Sequence, residues 1–193
     1  RRRLETGFKL RRYHQLSGNA ATVAESLLQN YEPVFKDDFV NLDAWTIWGG
    51  DWFASNGYVQ VTTIGYLYTD STFTPAQWSQ SRMSFDFVLN DQSVITISLG
   101  YDGTEYTAVS ILAPWANSPS GDIDAGFTVV AVSSGGNTTL ATRRYSYDTT
   151  RWNHIDIYAT QESTGRRVVV VMNGVEMINV VDARVFSPTA YVL

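Results

Sequence analysis

Two tryptophans stand in turn-forming stretches of this chain. They are Trp78, closing Thr74-Pro75-Ala76-Gln77-Trp78, and Trp115, just inside Pro114-Trp115-Ala116-Asn117. An indole is costly to leave exposed on a loop without a use. An amphipathic ring beside hydrogen-bonding side chains suits the C–H face and hydroxyl rim of a sugar. Asn117, Ser118, Asp122 and Asp124 surround Trp115 in the sequence. Trp78, Trp115, Asn117, Asp122 and Asp124 are therefore the candidate glycan-binding residues. The alternative is that both indoles pack under their own loops or in a subunit interface. Trp48 and Trp52 flank Gly49-Gly50 and fit either role, whereas Trp45 and Trp152 read as core.

Other chemistries find less to work with. Asp122-Ile123-Asp124, or Asp102 after Tyr101, offers oxygens to Ca²⁺, which wants six to eight of them. Asp-rich turns are more often only turns, so no cofactor is expected and Ca²⁺ stays open. The chain has no cysteine, hence no disulfide and no thiolate metal site. No Gly-x-Ser-x-Gly elbow, His-Glu-x-x-His motif, P-loop or dinucleotide fingerprint occurs. His14 lies near the start. His154 lies on a predicted strand, opposite in face to Ile155 and Ile157, and reads as a surface residue.

The elements that must position these residues are strands. At 193 residues, 44% hydrophobic and 17% charged, the chain can bury a sizeable core. Met83, Phe85, Phe87 and Leu89 alternate with Ser84, Asp86 and Val88, and Ile95, Ile97 and Leu99 repeat that period of two. Asn56-Gly57, Asp102-Gly103 and Asn173-Gly174 sit between apolar runs, where both turn residues accept positive φ. About a dozen short strands with regular turns predict a two-sheet antiparallel sandwich. Residues 114–124 form the longest irregular loop. No run of about 18 apolar residues predicts a membrane span.

Residues 1–12 hold five Arg and one Lys against one Glu, a net +5, so the remainder of this −5 chain carries −10. A basic arm on an acidic body reads as a protein-docking arm; it lacks the basic and aromatic density of a nucleic-acid groove, and no nucleic-acid partner is expected. A short helix follows, capped at Asn19 or Ser17, with Val23, Ala24, Leu27, Leu28 and Tyr31 at three-four spacing and a stop at Glu32-Pro33. The expected division is thus an arm and helix over 1–33, for docking or oligomerisation, and a sandwich over 34–193.

Three features carry a family resemblance. They are Asp37-Asp38-Phe39 with Trp45, Gly49-Gly50-Asp51-Trp52 and Asn56-Gly57; then residues 151–157, Arg-Trp-Asn-His-Ile-Asp-Ile; then residues 168–176, a Val-rich strand running through Asn173-Gly174 into Val175-Glu176. In this order they resemble a concanavalin A-like lectin/glucanase jelly roll of the laminin-G type, over about four-fifths of the chain. The resemblance implies an all-β jelly roll whose closing strand lies beyond Leu193. The chain starts at Arg1 and looks like a piece of a longer one. Together with the basic arm and the use of Arg over Lys, the domain is similar to those of minor tail proteins of tailed phages infecting actinobacteria.

That resemblance implies a virion structural protein. It would be extracellular on the phage tail, assembled with other tail proteins and sister copies, by analogy as a homo-trimer, and would contact a host-surface glycan. The alternatives are a carbohydrate-binding module of a secreted glycan-active enzyme and, third, a divergent glycoside hydrolase. Glucanases of the superfamily use Glu-x-Asp-x-x-Glu on one strand, which holds two carboxylates about 5–5.5 Å apart. Only Ser84-Phe85-Asp86 comes near this, with one carboxylate, so no enzyme is expected unless a second carboxylate reaches Asp86.

Overall fold

A computed structural model describes residues 8–17, 32–61, 64–69, 80–89, 93–101, 104–113, 125–184 and 190–192. In chain order the described strands are β1 (Phe8–Ser17), β2 (Glu32–Asp37), β3 (Trp45–Gly49), β4 (Trp52–Ser55), β5 (Tyr58–Val61), β6 (Gly65–Thr69), β7 (Gln80–Leu89) and β8 (Val94–Tyr101). There follow β9 (Tyr106–Leu112), β10 (Gly126–Ser133), β11 (Gly136–Arg144), β12 (Asn153–Glu162), β13 (Gly165–Met172), β14 (Val175–Asp182) and β15 (Ala190–Val192).

They form two antiparallel sheets. Sheet A runs β14-β13-β12-β7-β1-β5-β4, with β2 also paired to β1, and sheet B runs β11-β10-β9-β8-β15-β6-β3. The all-β sandwich read from the alternation is the observed architecture. Met83, Phe85, Phe87 and Leu89 of β7 are fully buried, and they face Ile97, Leu99, Val109 and Phe127 of sheet B in one core. At Asn56-Gly57 and Asn173-Gly174 all four residues have φ between 49° and 80°, as a two-residue hairpin loop requires.

Two motifs of the sequence meet in space. Asn153 is buried, and its amide donates to the carbonyls of Asp148 (2.8 Å) and Arg151 (3.1 Å). Its own oxygen accepts from Asn173 Nδ2 at 3.1 Å, and Asn173 Oδ1 accepts from the His154 amide at 2.9 Å. The segment around Trp152 and the Asn-Gly turn of β13–β14 are thus one hydrogen-bonded corner. Trp45 is core, 5% exposed. Trp152 is not core. It is half-buried and packs on Tyr58, ring centroids 6.4 Å apart.

The stretch expected as an arm docked elsewhere pairs within the sandwich. β1 lies beside β7 along its whole length, while its other edge meets β5 at residues 8–10 and β2 at residues 13–17. Its alternation is broken by a register shift between Arg11 and His14. An irregularity of that kind flips which residues face the core and erases the period of two. The expected helix lies outside the described residues, apart from Glu32, which opens β2. β15, close to the end of the sequence, occupies the slot between β8 and β6.

Candidate functional site

The five residues singled out for glycan contact, Trp78, Trp115, Asn117, Asp122 and Asp124, lie outside the described residues, as does Asp102. The described surface offers two other constellations, one on the outer face of each sheet. Among the described residues, no group of three or more His, Asp or Glu is arranged to hold a metal.

The first constellation lies on sheet A. The register sets His154 beside Asp86 and Asp156 beside Ser84, all facing away from the core because Phe85 and Ile155 face into it. His154 Nδ1 lies 2.8 Å from Asp86 Oδ1, and its Nε2 lies 3.2 Å from Ser84 Oγ and 3.5 Å from Asp156 Oδ2. Arg82 grips Asp156 from the other side, NH2 to Oδ1 2.7 Å, and lies over the Tyr158 ring at 5.6 Å.

Ser84, His154 and Asp86 have the spacing of a nucleophile, base and orienter. Their surroundings favour the charged imidazole over the neutral base that such work needs. The flanking Asp156 and Asp86 carboxylates hold the imidazole's pKa above its ordinary value, against burial, which pushes it down. The protonated ring donates from both nitrogens and has no lone pair for the serine. Ser84 lies mid-strand, paired with His14 of β1 on one side and Asp156 of β12 on the other, and not at a turn or helix N-terminus where free amides gather. Asp156 is also the second carboxylate near Asp86 that a glycosidase would need, but the imidazole fills the space between them. This cluster is an electrostatic tie between β7 and β12.

The tie has a pH signature. His154 titrates above the ordinary 6.5 in the folded state, so its contribution is full below that value and is lost as pH rises through the folded pKa. For Asp156, burial raises the pKa, but the hydrogen bond from His154 and the Arg82 charge outweigh it and set the group below the ordinary 3.8. Its contribution is present above that value and is lost as pH falls through the folded pKa. The melting temperature of wild type minus that of His154→Gln is expected to peak between about pH 4 and pH 6.5 and to shrink in alkali. A pH-independent difference in thermal melts would contradict this assignment.

The second constellation lies on sheet B. β3 is its last strand, and Trp48 stands opposite Tyr66 of β6 on the outer face, since Trp45 and Leu67 face the core. Trp48 is 64% exposed and Tyr66 39%. Their ring centroids are 5.2 Å apart with planes tilted by 41°, forming an open ledge.

Glycines set the ledge. Gly49 and Gly50 turn the chain at φ +66° and +76°, and Trp52 Nε1 donates to the Gly49 carbonyl at 3.0 Å. A Cβ on Gly65 would lie 2.5 Å from that indole nitrogen and 2.7 Å from the Gly49 oxygen. Only glycine lets β6 approach the turn closely enough to bring Tyr66 under Trp48. Of the pair left open by the sequence, Trp52 is thus a half-buried brace and Trp48 is displayed.

The chain around the ledge carries no basic residue. From Asp37 to Ser81 the chain holds five Asp but no Lys, Arg or His. Strands β3, β6, β15, β8, β9 and β10, six neighbours in sheet B, contain no charged residue at all. Apart from the aromatic pair and a few aliphatics, their outer positions carry hydroxyls such as Thr46, Thr96, Ser110 and Thr128.

The chain is matched by no family model and by no curated protein. Its fold is similar to that of the solved carbohydrate-binding module CBM66 from Bacillus subtilis, with a TM-score of 0.57 at 15% identity over 79% of this chain and 87% of that chain. At that identity the likeness is one of fold.

Sequence reasoning placed Ser84 and Asp86 on one outward face and His154 on another. The adjacency of β7 and β12, some 70 residues apart, brings them together. The signal that pointed to the ledge was already present: an indole between an edge strand and Gly-Gly, in a stretch without basic residues.

Proposed function

We propose that this sandwich is a non-catalytic carbohydrate-binding domain and that the Trp48–Tyr66 ledge is its primary contact. The observation that carries the reading is the exposed aromatic pair on strands that hold no charged residue. Neutral glycans are held by ring stacking and hydroxyl hydrogen bonds, and such a surface provides both. The fold likeness to a carbohydrate-binding module supports the same class.

Two settings fit. Within a phage tail tip, the domain would be a virion protein contacting the host surface, beside sister copies and other tail proteins; the basic start and the use of Arg over Lys support this. As a module of a secreted glycan-active enzyme it would hold substrate for a catalytic partner; the CBM66 likeness supports that. Antibody labelling of purified virions separates the two.

The binding itself is tested by affinity electrophoresis in gels cast with host-envelope or plant polysaccharide, with reducing ends assayed in parallel. Retention without new ends is expected. Trp48→Ala should weaken retention about tenfold or more, ~1.4 kcal/mol, with unchanged melting because the ring is mostly exposed. Release of new ends would overturn the non-catalytic reading.

A further inference from the structure

The sheet B register continues beyond the ledge. Tyr68 of β6 and Ser98 of β8 both stand opposite Val192 of β15. Two residues back along each of these strands, Tyr66 and Thr96 therefore fall in one line across the sheet. The line extends in register, Thr96 to Ser110, Ser110 to Thr128 and Thr128 to Thr142. At its other end Tyr66 stands opposite Trp48.

All of these lie on the outer face, because Ile95, Ile97, Val109, Ile111, Phe127 and Val129 take the inner one. Thr96 Oγ1 and Ser110 Oγ lie 3.0 Å apart, and Thr96 and Thr142 are exposed. A row of side chains on six of the seven strands thus runs across the sheet, two aromatic rings on β3 and β6 and then, beyond β15, which adds no described residue to it, hydroxyls on β8 to β11. At about 4.8 Å between strands it is roughly 29 Å long.

We propose that this row is the track of a linear, neutral polysaccharide, bound through internal units laid across the strands. The inference rests on the glycan-binding reading of the ledge and names its ligand class. An indole 64% exposed presents a stacking face and not an enclosed pocket, which suits internal units of a chain. Hydroxyls repeating at the strand spacing suit a ligand with repeating hydroxyls. Charge disfavours the alternative polymers: a uronate- or phosphate-bearing glycan would find no cation on β3, β6, β15, β8, β9 or β10, and would meet Arg143 and Arg144 of β11 only at the far end of the row, on a chain of net charge −5.

The test uses the whole chain, with neutral glucan, mannan and arabinogalactan, short and long oligosaccharides of each, and polygalacturonate as the anionic arm. Calorimetry is expected to show affinity rising with oligosaccharide length and no binding of polygalacturonate. The double variant Thr128→Val/Thr142→Val, far from the rings, should lose about tenfold on the long ligands, two neutral hydrogen bonds, and nothing on the short ones. Trp48→Ala should lose affinity for both.

Short ligands matching long ones, with the double variant silent, would overturn the track and leave the ledge reading standing. Equal binding of polygalacturonate would overturn the neutral class. Silence of all the polysaccharides, or retention indifferent to Trp48→Ala, would overturn the ledge reading and the track with it.

Discussion

Asp182→Ala is expected to cost about 3–5 kcal/mol of unfolding free energy, because it removes a buried carboxylate that a half-buried cation and a buried hydroxyl both depend on. Asp182 ends β14 and is 1% exposed. It accepts from Thr107 Oγ1 of β9 at 2.7 Å and from Arg184 NH2 at 2.6 Å. Arg184 also donates to the carbonyls of Val132 (2.6 Å) and Tyr106 (2.9 Å) in sheet B. Arg166, opposite Asp182 in the ladder and 3% exposed, reaches the Leu99 carbonyl at 3.3 Å. One carboxylate therefore anchors a clamp between the two sheets.

Burial pushes this carboxyl's pKa up, but hydrogen bonds from Arg184 and Thr107 outweigh it and hold the group below its ordinary value. A depressed folded pKa means that the contribution is whole at neutral pH and disappears as pH falls through that value. Urea midpoints should therefore separate wild type from variant at pH 7 and converge in strong acid. A loss under about 0.5 kcal/mol at pH 7, the range of ordinary surface changes, would show the clamp to be idle.

Phe39→Ala is the second large loss, again about 3–5 kcal/mol. Phe39 lies between β2 and β3, is fully buried, and has φ +53°, unusual for a bulky side chain. Asp37 makes the conformation possible. Its Oδ1 accepts the Phe39 amide at 2.6 Å and its Oδ2 the Trp45 indole N–H at 2.5 Å. The two rings then stack, centroids 5.8 Å apart at 25°.

Ring packing outweighs backbone strain here. Phe39→Gly, which relieves the positive φ, should recover only about 1 kcal/mol relative to Phe39→Ala. Full recovery by glycine in chemical denaturation would show that the strain, and not the ring, sets the energy of this corner.

That corner also shows how far the sequence could be read. Asp37-Asp38-Phe39 followed by Trp45 marks the opening of the sandwich, and one carboxylate serves both an amide and an indole across that spacing. Strands β7 and β8 were legible because each has one face fully in the core. β1 was not, because its register shift destroys the alternation. The His154 cluster was legible only as separate outward residues, since nothing local announces that β12 will lie beside β7. The row of rings and hydroxyls needed the register of every strand of sheet B, and a single residue's slip would dissolve it.

The position of β15 has a consequence for how the molecule is made. The sheet B path passes from β8 to β6 only through Ala190–Val192. During synthesis the meander from β8 to β11 and the pair β3–β6 emerge first, and the segment that joins them comes last. Sheet A has the converse problem, since β1 must wait for β7, more than 60 residues later. Closure of both sheets is thus dominated by distant pairings, which places refolding on the order of milliseconds to seconds. Until β15 docks, the strand edges of β8 and β6 lie open, and a nascent or refolding chain is most exposed to pairing with its neighbours in that interval.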